Sequence, residues 1–248
     1  MTYTIAARDK KTDQIGLCMT TVSAVCGAIG KYYAEGAETV LACQAFAEYG
    51  SSSRLADFLD DGGSFSDFIL HLEETDEFLS YKQIGIVRRK GDIEAYTGSD
   101  CRDWAGHIIG EDYVVFGNVL AGEQVVQAMA DAFENSSTCS LDERLLLSIE
   151  AGQKAGGQNV SGHSLPELSS MLRVYDYNAD PLVFANGRLP VLDLRVDLDI
   201  DPIAKLRRLH RSVASLMNVY EKRYGRDPVE YLDSDPELPE LAMYASQF

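Results

Sequence analysis

The sequence predicts an α+β protein with a four-layer αββα sandwich, in which helices cover the outer faces of two stacked antiparallel sheets. Three observations predict this architecture. Strand-like segments occur in groups joined by short polar turns, which is typical of antiparallel hairpins. Pairs of amphipathic helical segments separate these groups along the chain. The length of 248 residues is enough for one sizeable domain.

The first predicted element is a hairpin at the start of the chain. Thr2 to Asp9 is rich in β-branched and small residues, residues 10–14 are polar and form the turn, and Ile15 to Val22 returns as the second strand. Symmetric pairing about the turn puts Thr2 near Thr20 to Val22. The period of two puts the side chains of Thr2, Thr4, Ala6 and Arg8 on one face.

The later elements follow from the same patterns, and three of the five helix starts have a capping signal. Ser64 or Ser66 caps the second helix, Ser140 with Glu143 forms a capping pattern before the fourth, and Asp201 precedes Pro202 at the start of the last. The predicted order is a strand at 36–47, helices at 51–61 and from 64, strands at 82–89, 93–97 and 113–120, helices at 123–134 and 140–155, strands at 168–176 and 191–196, and a helix from 202.

The end of the chain differs in composition from the rest. We expect residues 1–223 to form a single domain. Residues 224–248 are acidic and contain several prolines, so we expect them to form a tail or a clasp on a neighbouring molecule.

Composition and charge exclude several classes of protein. With 46% apolar and 25% charged residues, the chain has the composition of a packed globule. It carries 22 Lys and Arg against 39 Asp and Glu, a net charge of −17, which disfavours nucleic acid and anionic membrane surfaces as partners. The sequence has no long apolar run and no secretory-signal pattern at its start, so we expect a cytoplasmic protein.

Metal, cofactor and thiol chemistry have little support in the sequence. The five cysteines have no C-x-x-C spacing and read best as buried, reduced thiols. The four histidines lie far apart, with no H-E-x-x-H pair, so we expect no metal site. Gly156-Gly157 lacks the context of a nucleotide loop, and we expect no cofactor. Thiol chemistry at Cys18, Cys26 or Cys101 ranks last because none of these residues lies at a predicted helix start, which would lower the pKa of its thiol.

The second residue is the most informative candidate for catalysis. Loss of Met1, which is favoured before a small residue, leaves Thr2 with a free α-amine. Such a threonine combines a nucleophilic hydroxyl with a base, because an α-amine with a pKa of about 7.7 to 8.0 can accept the hydroxyl proton at neutral pH. The alternative is that a small residue follows the first methionine without any catalytic role.

Several segments together resemble a known bacterial family, and the similarity runs in register from Met1 to about Leu209. They are MTYTIAARD at the start, TGSDCRDWAGH at 97–107, GNVLAGEQVVQAMADAFE at 117–134, EAGQKAGG at 150–157, and LDLRVD followed by DPIAKLRRL. On these blocks the chain is similar to the domain-of-unknown-function family numbered ten-twenty-eight. The fold of that family resembles the N-terminal nucleophile (Ntn) hydrolases, which cleave amides with the first residue of the mature chain.

The resemblance implies a set of catalytic residues. Thr2 becomes the nucleophile, with its own α-amine as base. Asp9, at a matching position, is a candidate for stabilising charge; the alternative is that it caps the hairpin turn, since it lies roughly 20 Å from Thr2 along the strand. Asn118 follows Gly117 at a strand end and is a candidate oxyanion donor, or else it bonds turn backbone.

Four further residues are candidate substrate contacts. Gln44 lies in an apolar strand, where it is either a buried structural hydrogen-bonding residue or a contact to substrate; we expect the similar Gln83 to be structural. His107 is a candidate general acid or substrate contact, or a turn or interface residue. Thr21 and Tyr49 lie at the edges of segments where the chain departs from the family pattern. These segments are 21–24, 46–48 and 158–170.

Two functions remain open on this evidence. The first is an Ntn-type amidohydrolase that cleaves a small-molecule amide or ureide through Thr2. The second is a non-catalytic ligand-binding or scaffold protein that keeps the Ntn fold. Because four-layer sandwiches often pair through an outer helix, we expect a homodimer in either case.

Overall fold

A computed structural model describes most of the chain. It describes residues 1–27, 38–48, 50–102, 104–179 and 190–213, together with the backbone of 33–35, 183–184, 187–188 and 214–224. The chain divides into two compact units, Met1–Leu206 and Arg207–Phe248. None of the helices in the described residues has the length and hydropathy needed to cross a bilayer.

The chain is a mixed α/β protein with antiparallel sheets, as the sequence predicts. The strands are β1 (Thr2–Asp9), β2 (Gln14–Thr21), β3 (Tyr33–Glu35), β4 (Thr39–Ala45), β5 (Lys82–Arg88), β6 (Ile93–Thr97), β7 (Gly106–Ile109), β8 (Tyr113–Asn118), β9 (Asn159–Val160), β10 (His163–Ser164), β11 (Ser169–Asp176), β12 (Val183–Phe184), β13 (Gly187–Arg188) and β14 (Leu192–Val196). The helices are α1 (Ser51–Asp60), α2 (Phe65–Thr75), α3 (Glu123–Asn135), α4 (Leu141–Lys154) and α5 (Pro202–Tyr224), with a 3-10 turn at Leu79–Tyr81.

Two sheets carry most of the strands. The larger has the order β14-β11-β2-β1-β8-β7 and the smaller the order β3-β4-β5-β6. Strand β1 therefore lies inside the larger sheet, between β2 and β8. The predicted first hairpin is confirmed, and its register sets Thr2 opposite Thr21 on one side and opposite Asn118 on the other.

Each sheet contacts helices and also contacts the other sheet. Helices α3 and α4 contact the larger sheet, α1 contacts the smaller sheet, and α2 contacts α1. The sheets meet mainly through β1 and β8 of the larger sheet and β4 and β5 of the smaller. Ala6 packs in this layer with Val40, Ala42 and Val87, so the face that it shares with Thr2, Thr4 and Arg8 is the one toward the smaller sheet.

Strand β1 is tied to its surroundings at the end far from Thr2. The Arg8 guanidinium, which is largely buried, donates from Nε to Asp112 Oδ1 at 2.8 Å. Its Nη1 donates to the main-chain oxygens of Arg88 at 2.8 Å and Gly91 at 2.7 Å. Because Arg88 and Gly91 lie at the β5–β6 turn, these bonds join the larger sheet to the smaller.

Two of the three predicted caps are confirmed. Ser64 accepts from the Asp67 amide, and Asp201 accepts from the Ala204 amide. The third prediction is right about the position of the cap and wrong about its hydrogen bond. Ser140 is the N-cap residue of α4, but its side chain makes no capping hydrogen bond. Strand β7 was not expected, since the sequence around His107 predicts a turn; it pairs with the edge of β8.

The two sheets approach closely at one glycine of the smaller sheet. Gly85 lies in the middle of β5, and a Cβ built there would overlap the ring of Phe116 from β8. Phe116 is fully buried in the layer between the sheets. The absence of a side chain at residue 85 therefore makes room for the Phe116 ring.

We expect Gly85→Ala to lower the free energy of unfolding by about 1–3 kcal/mol, because the added methyl group must displace a ring in a packed core. Chemical denaturation of the purified variant measures this loss. Adding Phe116→Leu should recover part of it, with a coupling of at least about 0.5 kcal/mol between the two sites. Simple additivity of the two substitutions would contradict the assigned contact.

Candidate active site

The structure brings Thr2 and Thr21 together at the start of β1. Thr2 is buried, with 1% of its surface exposed, and its Oγ1 donates to Thr21 Oγ1 at 3.1 Å. The Thr21 hydroxyl in turn donates to the main-chain oxygen of Met1 at 2.7 Å. The carbonyl attached to the Thr2 nitrogen is therefore held by a hydroxyl group from the neighbouring strand.

Met1 determines what Thr2 can do in this form of the chain. Met1 is 40% exposed, whereas Thr2 directly after it is almost fully covered. The Thr2 nitrogen is an amide here, and an amide cannot take up a proton near neutral pH. Loss of Met1 converts this nitrogen into a primary amine on the same residue as the hydroxyl.

A buried amide on the smaller sheet organises the polar groups next to Thr2. Gln83 on β5 is fully buried, and its Nε2 lies 2.9 Å from the main-chain oxygen of Gly117 and 3.1 Å from that of Gly106. Main-chain oxygens only accept hydrogen bonds, so they fix the amide nitrogen of Gln83 on their side. The Gln83 oxygen must then point the other way.

The Gln83 oxygen orients two of the predicted site residues. Gln44 Nε2 donates to Gln83 Oε1 at 2.8 Å, and Asn118 Nδ2 donates to the same oxygen at 3.1 Å. Gln44 Nε2 also lies 3.3 Å from the main-chain oxygen of Thr2, and Gln44 Oε1 accepts from Thr4 Oγ1 at 2.7 Å. The amide groups of Gln44, Gln83 and Asn118 are thus ordered as one network, which we call the amide network.

His107 joins the amide network through a threonine. Thr97 Oγ1 is a third acceptor near Gln83 Nε2, at 3.0 Å, and it lies 2.8 Å from His107 Nδ1. Since burial lowers the pKa of His107 below its usual value, the ring is neutral at pH 7.

A cleft of about 440 Å³ opens beside this end of β1. Its lining residues are Met1, Ala45, Phe46, Phe78, Tyr81, Asp100, Cys101, Arg102, Asn118 and Val119. Ala45 and Val119 have positive φ angles of 67° and 58°, and they directly follow Gln44 and Asn118. Residues other than glycine adopt this left-handed backbone conformation at a cost of about 1–3 kcal/mol, and such strain is concentrated at functional sites.

Sequence reasoning missed most of the residues that line the cleft. Phe46 directly follows β4, whereas Phe78 and Tyr81 lie in the connection between α2 and β5, and no periodic pattern connects the three. Arg102 lies on the β6–β7 connection, and its main-chain oxygen accepts from the Val119 amide at 3.2 Å. The one signal that these three residues share in the sequence is that they are large aromatic side chains.

One predicted site residue is not part of this arrangement. Asp9 lies at the opposite end of β1, seven positions from Thr2, and its Oδ1 accepts from the Lys11 amide at 2.8 Å. This contact is the hairpin cap that the sequence offered as the alternative. Tyr49 lies outside the described residues.

Three of the described thiols are poor nucleophiles. None of the five cysteines forms a disulfide, and burial raises the pKa of Cys26 to about 12 and that of Cys43 to about 11. Cys101 lines the cleft, but burial raises its pKa as well. Among the described residues, no three His, Cys, Asp or Glu side chains are grouped so that they could hold a metal ion.

Comparisons with known proteins agree on a family without an assigned activity. A model described as a family of unknown function, DUF1028, matches residues 2–206. The crystal structure of protein SPO2555 from Silicibacter pomeroyi, of the same family model, is 26% identical, with a TM-score of 0.71 over 85% of this chain and 84% of that one. Eukaryotic HslV from Trypanosoma brucei is 10% identical, with a TM-score of 0.41 over 71% of this chain and 99% of that one. No curated protein matches the chain.

We expect Gln83→Met to lower the free energy of unfolding by about 2–4 kcal/mol, because it leaves two main-chain oxygens and the Asn118 amide without their buried partner. Urea denaturation measures the loss. Gln127→Met, on the exposed face of α3, is the matched control and should change stability by less than about 0.5 kcal/mol. Equal effects of the two substitutions would show that the amide network is not a structural unit.

Proposed function

The chain belongs to the family of unknown function DUF1028, and we propose that it is an Ntn-type amidohydrolase that cleaves a small-molecule amide or ureide. Thr2, freed of Met1, is the nucleophile. The observation that carries the proposal is the position of Thr2, which pairs with Thr21 on one neighbouring strand and with Asn118 on the other, while Asn118 and the adjacent Met1 line the cleft. No cofactor is needed for this chemistry.

The packing of the described elements supports the four-layer αββα sandwich as the finer description of the fold. Helices α3 and α4 form one outer layer, and α1 and α2 form the other. The two sheets lie between them and meet at β1, β4, β5 and β8. In this arrangement the start of β1 lies at one end of the layer between the sheets, where a nucleophile is supported by both.

The proposed reaction begins with proton transfer inside Thr2. The free α-amine takes the proton of Oγ1, and Oγ1 attacks the carbonyl carbon of the substrate. The carbonyl oxygen becomes an oxyanion, for which Asn118 Nδ2 and the Thr21 hydroxyl are the donors. The carbon–nitrogen bond then breaks, and the leaving nitrogen takes the proton held by the α-amine. Water, activated by the same amine, hydrolyses the resulting ester and restores the hydroxyl.

The amide network provides the positioning that such a site needs. One N–H of Asn118 is committed to Gln83 Oε1, which leaves the other N–H of the same group for the oxyanion. Gln44 fixes the main chain of Thr2 through its carbonyl oxygen. Gln83 and His107 act through these residues, so we assign them to positioning and not to the reacting atoms.

One observation favours the second candidate function, a non-catalytic binding protein. With Met1 in place, Thr2 is covered and its nitrogen cannot act as a base, whereas the cleft remains open to a ligand. A chain that keeps Met1 in the cell would bind a small molecule without cleaving it. The expected homodimer and the cytoplasmic location accompany both candidates as predictions.

Catalysis should require Thr2 at the start of the chain. A fusion cleaved directly before residue 2 should release amine or ammonia from a panel of linear and cyclic amides and ureides, while the form with Met1 should not. Thr2→Val should lower the rate by at least about 10³-fold, because it removes the nucleophile, and Thr2→Ser should retain activity.

The matched control for this experiment is Thr20→Val. Thr20 is a buried threonine on the adjacent strand, and its hydroxyl donates to the main-chain oxygen of Ser169 outside the site. Its replacement tests whether loss of a buried hydroxyl alone reduces turnover. Turnover that survives Thr2→Val, or that is equal with Met1 attached, would remove Thr2 from the mechanism.

The rate of acylation should rise with pH through one ionisation at about 7.7 to 8.0, because the α-amine acts as a base only when it is unprotonated. A pH profile of the chain that begins at Thr2 measures the midpoint. Burial lowers the pKa of His107 from its usual value, so the imidazole is already neutral across this range. A midpoint below about 6.5 that moves in His107→Gln would instead assign the base to the imidazole.

A further inference from the structure

Three aromatic side chains stand exposed around the cleft. Phe46, Phe78 and Tyr81 expose 51%, 41% and 46% of their surfaces. The rings of Phe46 and Phe78 are in contact, with centroids 5.3 Å apart. Large apolar groups grouped at the mouth of a cavity, next to polar residues, are typical of ligand-binding surfaces.

Met1 indicates which part of a substrate this surface receives. Met1 is linked to the Thr2 nitrogen through its carbonyl group, and it lines the same cleft as the three rings. It is therefore an acyl group with a linear apolar side chain and an α-amino group, placed next to the proposed nucleophile. A thioether chain of this kind packs favourably against aromatic rings.

The charges at the cleft argue against a strongly charged acyl group. Among the described residues, Asp100 and Arg102 are the charged side chains of the lining, and their charges are opposite. The chain as a whole carries −17, which repels anionic substrates. The remaining walls, including Ala45 and Val119, are mainly apolar.

From this geometry we propose that the enzyme is selective for amides with an extended, uncharged apolar acyl group, which lies against Phe46, Phe78 and Tyr81 while its carbonyl faces Thr2. This inference rests on the proposed function. It adds the class of substrate, which the position of Thr2 alone does not provide.

A pair of β-lactones tests the proposal without knowledge of the natural substrate. Thr2 Oγ1 attacks the lactone carbonyl, the ring carbon–oxygen bond breaks, and the ring oxygen takes the proton, so the chain gains the mass of the whole lactone. One probe carries a methyl group on the saturated ring carbon that is bonded to the ring oxygen, and the other carries a hexyl group at the same position. Intact mass gives the rate, and peptide mapping identifies the modified residue.

With the chain that begins at Thr2, we expect the hexyl lactone to modify Thr2 at least about tenfold faster than the methyl lactone, because the longer chain gains apolar contact in the cleft. The double variant Phe46→Ser/Phe78→Ser should reduce this ratio to below about three, since two of the apolar walls are removed. Leu70→Ser and Ile200→Ser are the controls, because both residues are exposed apolar side chains outside the cleft. They should keep the ratio of the parent chain.

The possible failures are distinguishable. Modification of Thr2 at equal rates by both lactones would overturn the selectivity and leave the proposed function standing. Absence of an adduct on Thr2 with either lactone would overturn both. A third failure is that the aromatic residues form an interface between copies of the chain and do not bind substrate. Light scattering tests for it: a double variant with half the molar mass of the parent chain would show that the inference is wrong.

Discussion

Two main-chain oxygens, those of Gly106 and Gly117, constrain the polar interior between the sheets. Because they can only accept, they fix the orientation of the Gln83 amide. The orientation of Gln83 then fixes Asn118 on the larger sheet and Gln44 on the smaller. A fully satisfied buried polar network favours one arrangement of its members. These hydrogen bonds therefore help to fix how the two sheets pack against each other and how the polar groups beside Thr2 are oriented.

The position of Thr2 follows from how β1 is held at its two ends. Arg8 joins the far end to both sheets, and the Thr2 carbonyl is bonded to Gln44 at the near end. Between these points the even-numbered side chains fill the layer between the sheets. The hydroxyl of Thr2 is consequently placed at the edge of a rigid core, where the strained residues Ala45 and Val119 begin the walls of the cleft.

The sequence was most informative where the pattern is local. Alternation and turn residues predicted the first hairpin and a position for Thr2 near Thr20 to Val22, and helical spacing predicted α1 almost to its ends. Strand β7 was missed because it has only four residues and pairs with one edge. The cleft could not be predicted, because Phe46, Phe78 and Arg102 meet only after the strands have paired, and Gln83 looked structural since its role depends on partners far away in sequence.

A crystal structure of the chain that begins at Thr2 tests the central claim most directly. The account predicts that the Thr2 hydroxyl and its free amine open onto the cleft, with Asn118 still donating to Gln83 and its second N–H directed at the same space. A structure in which the walls close over residue 2, or in which Asn118 turns away from the cleft, would contradict the account.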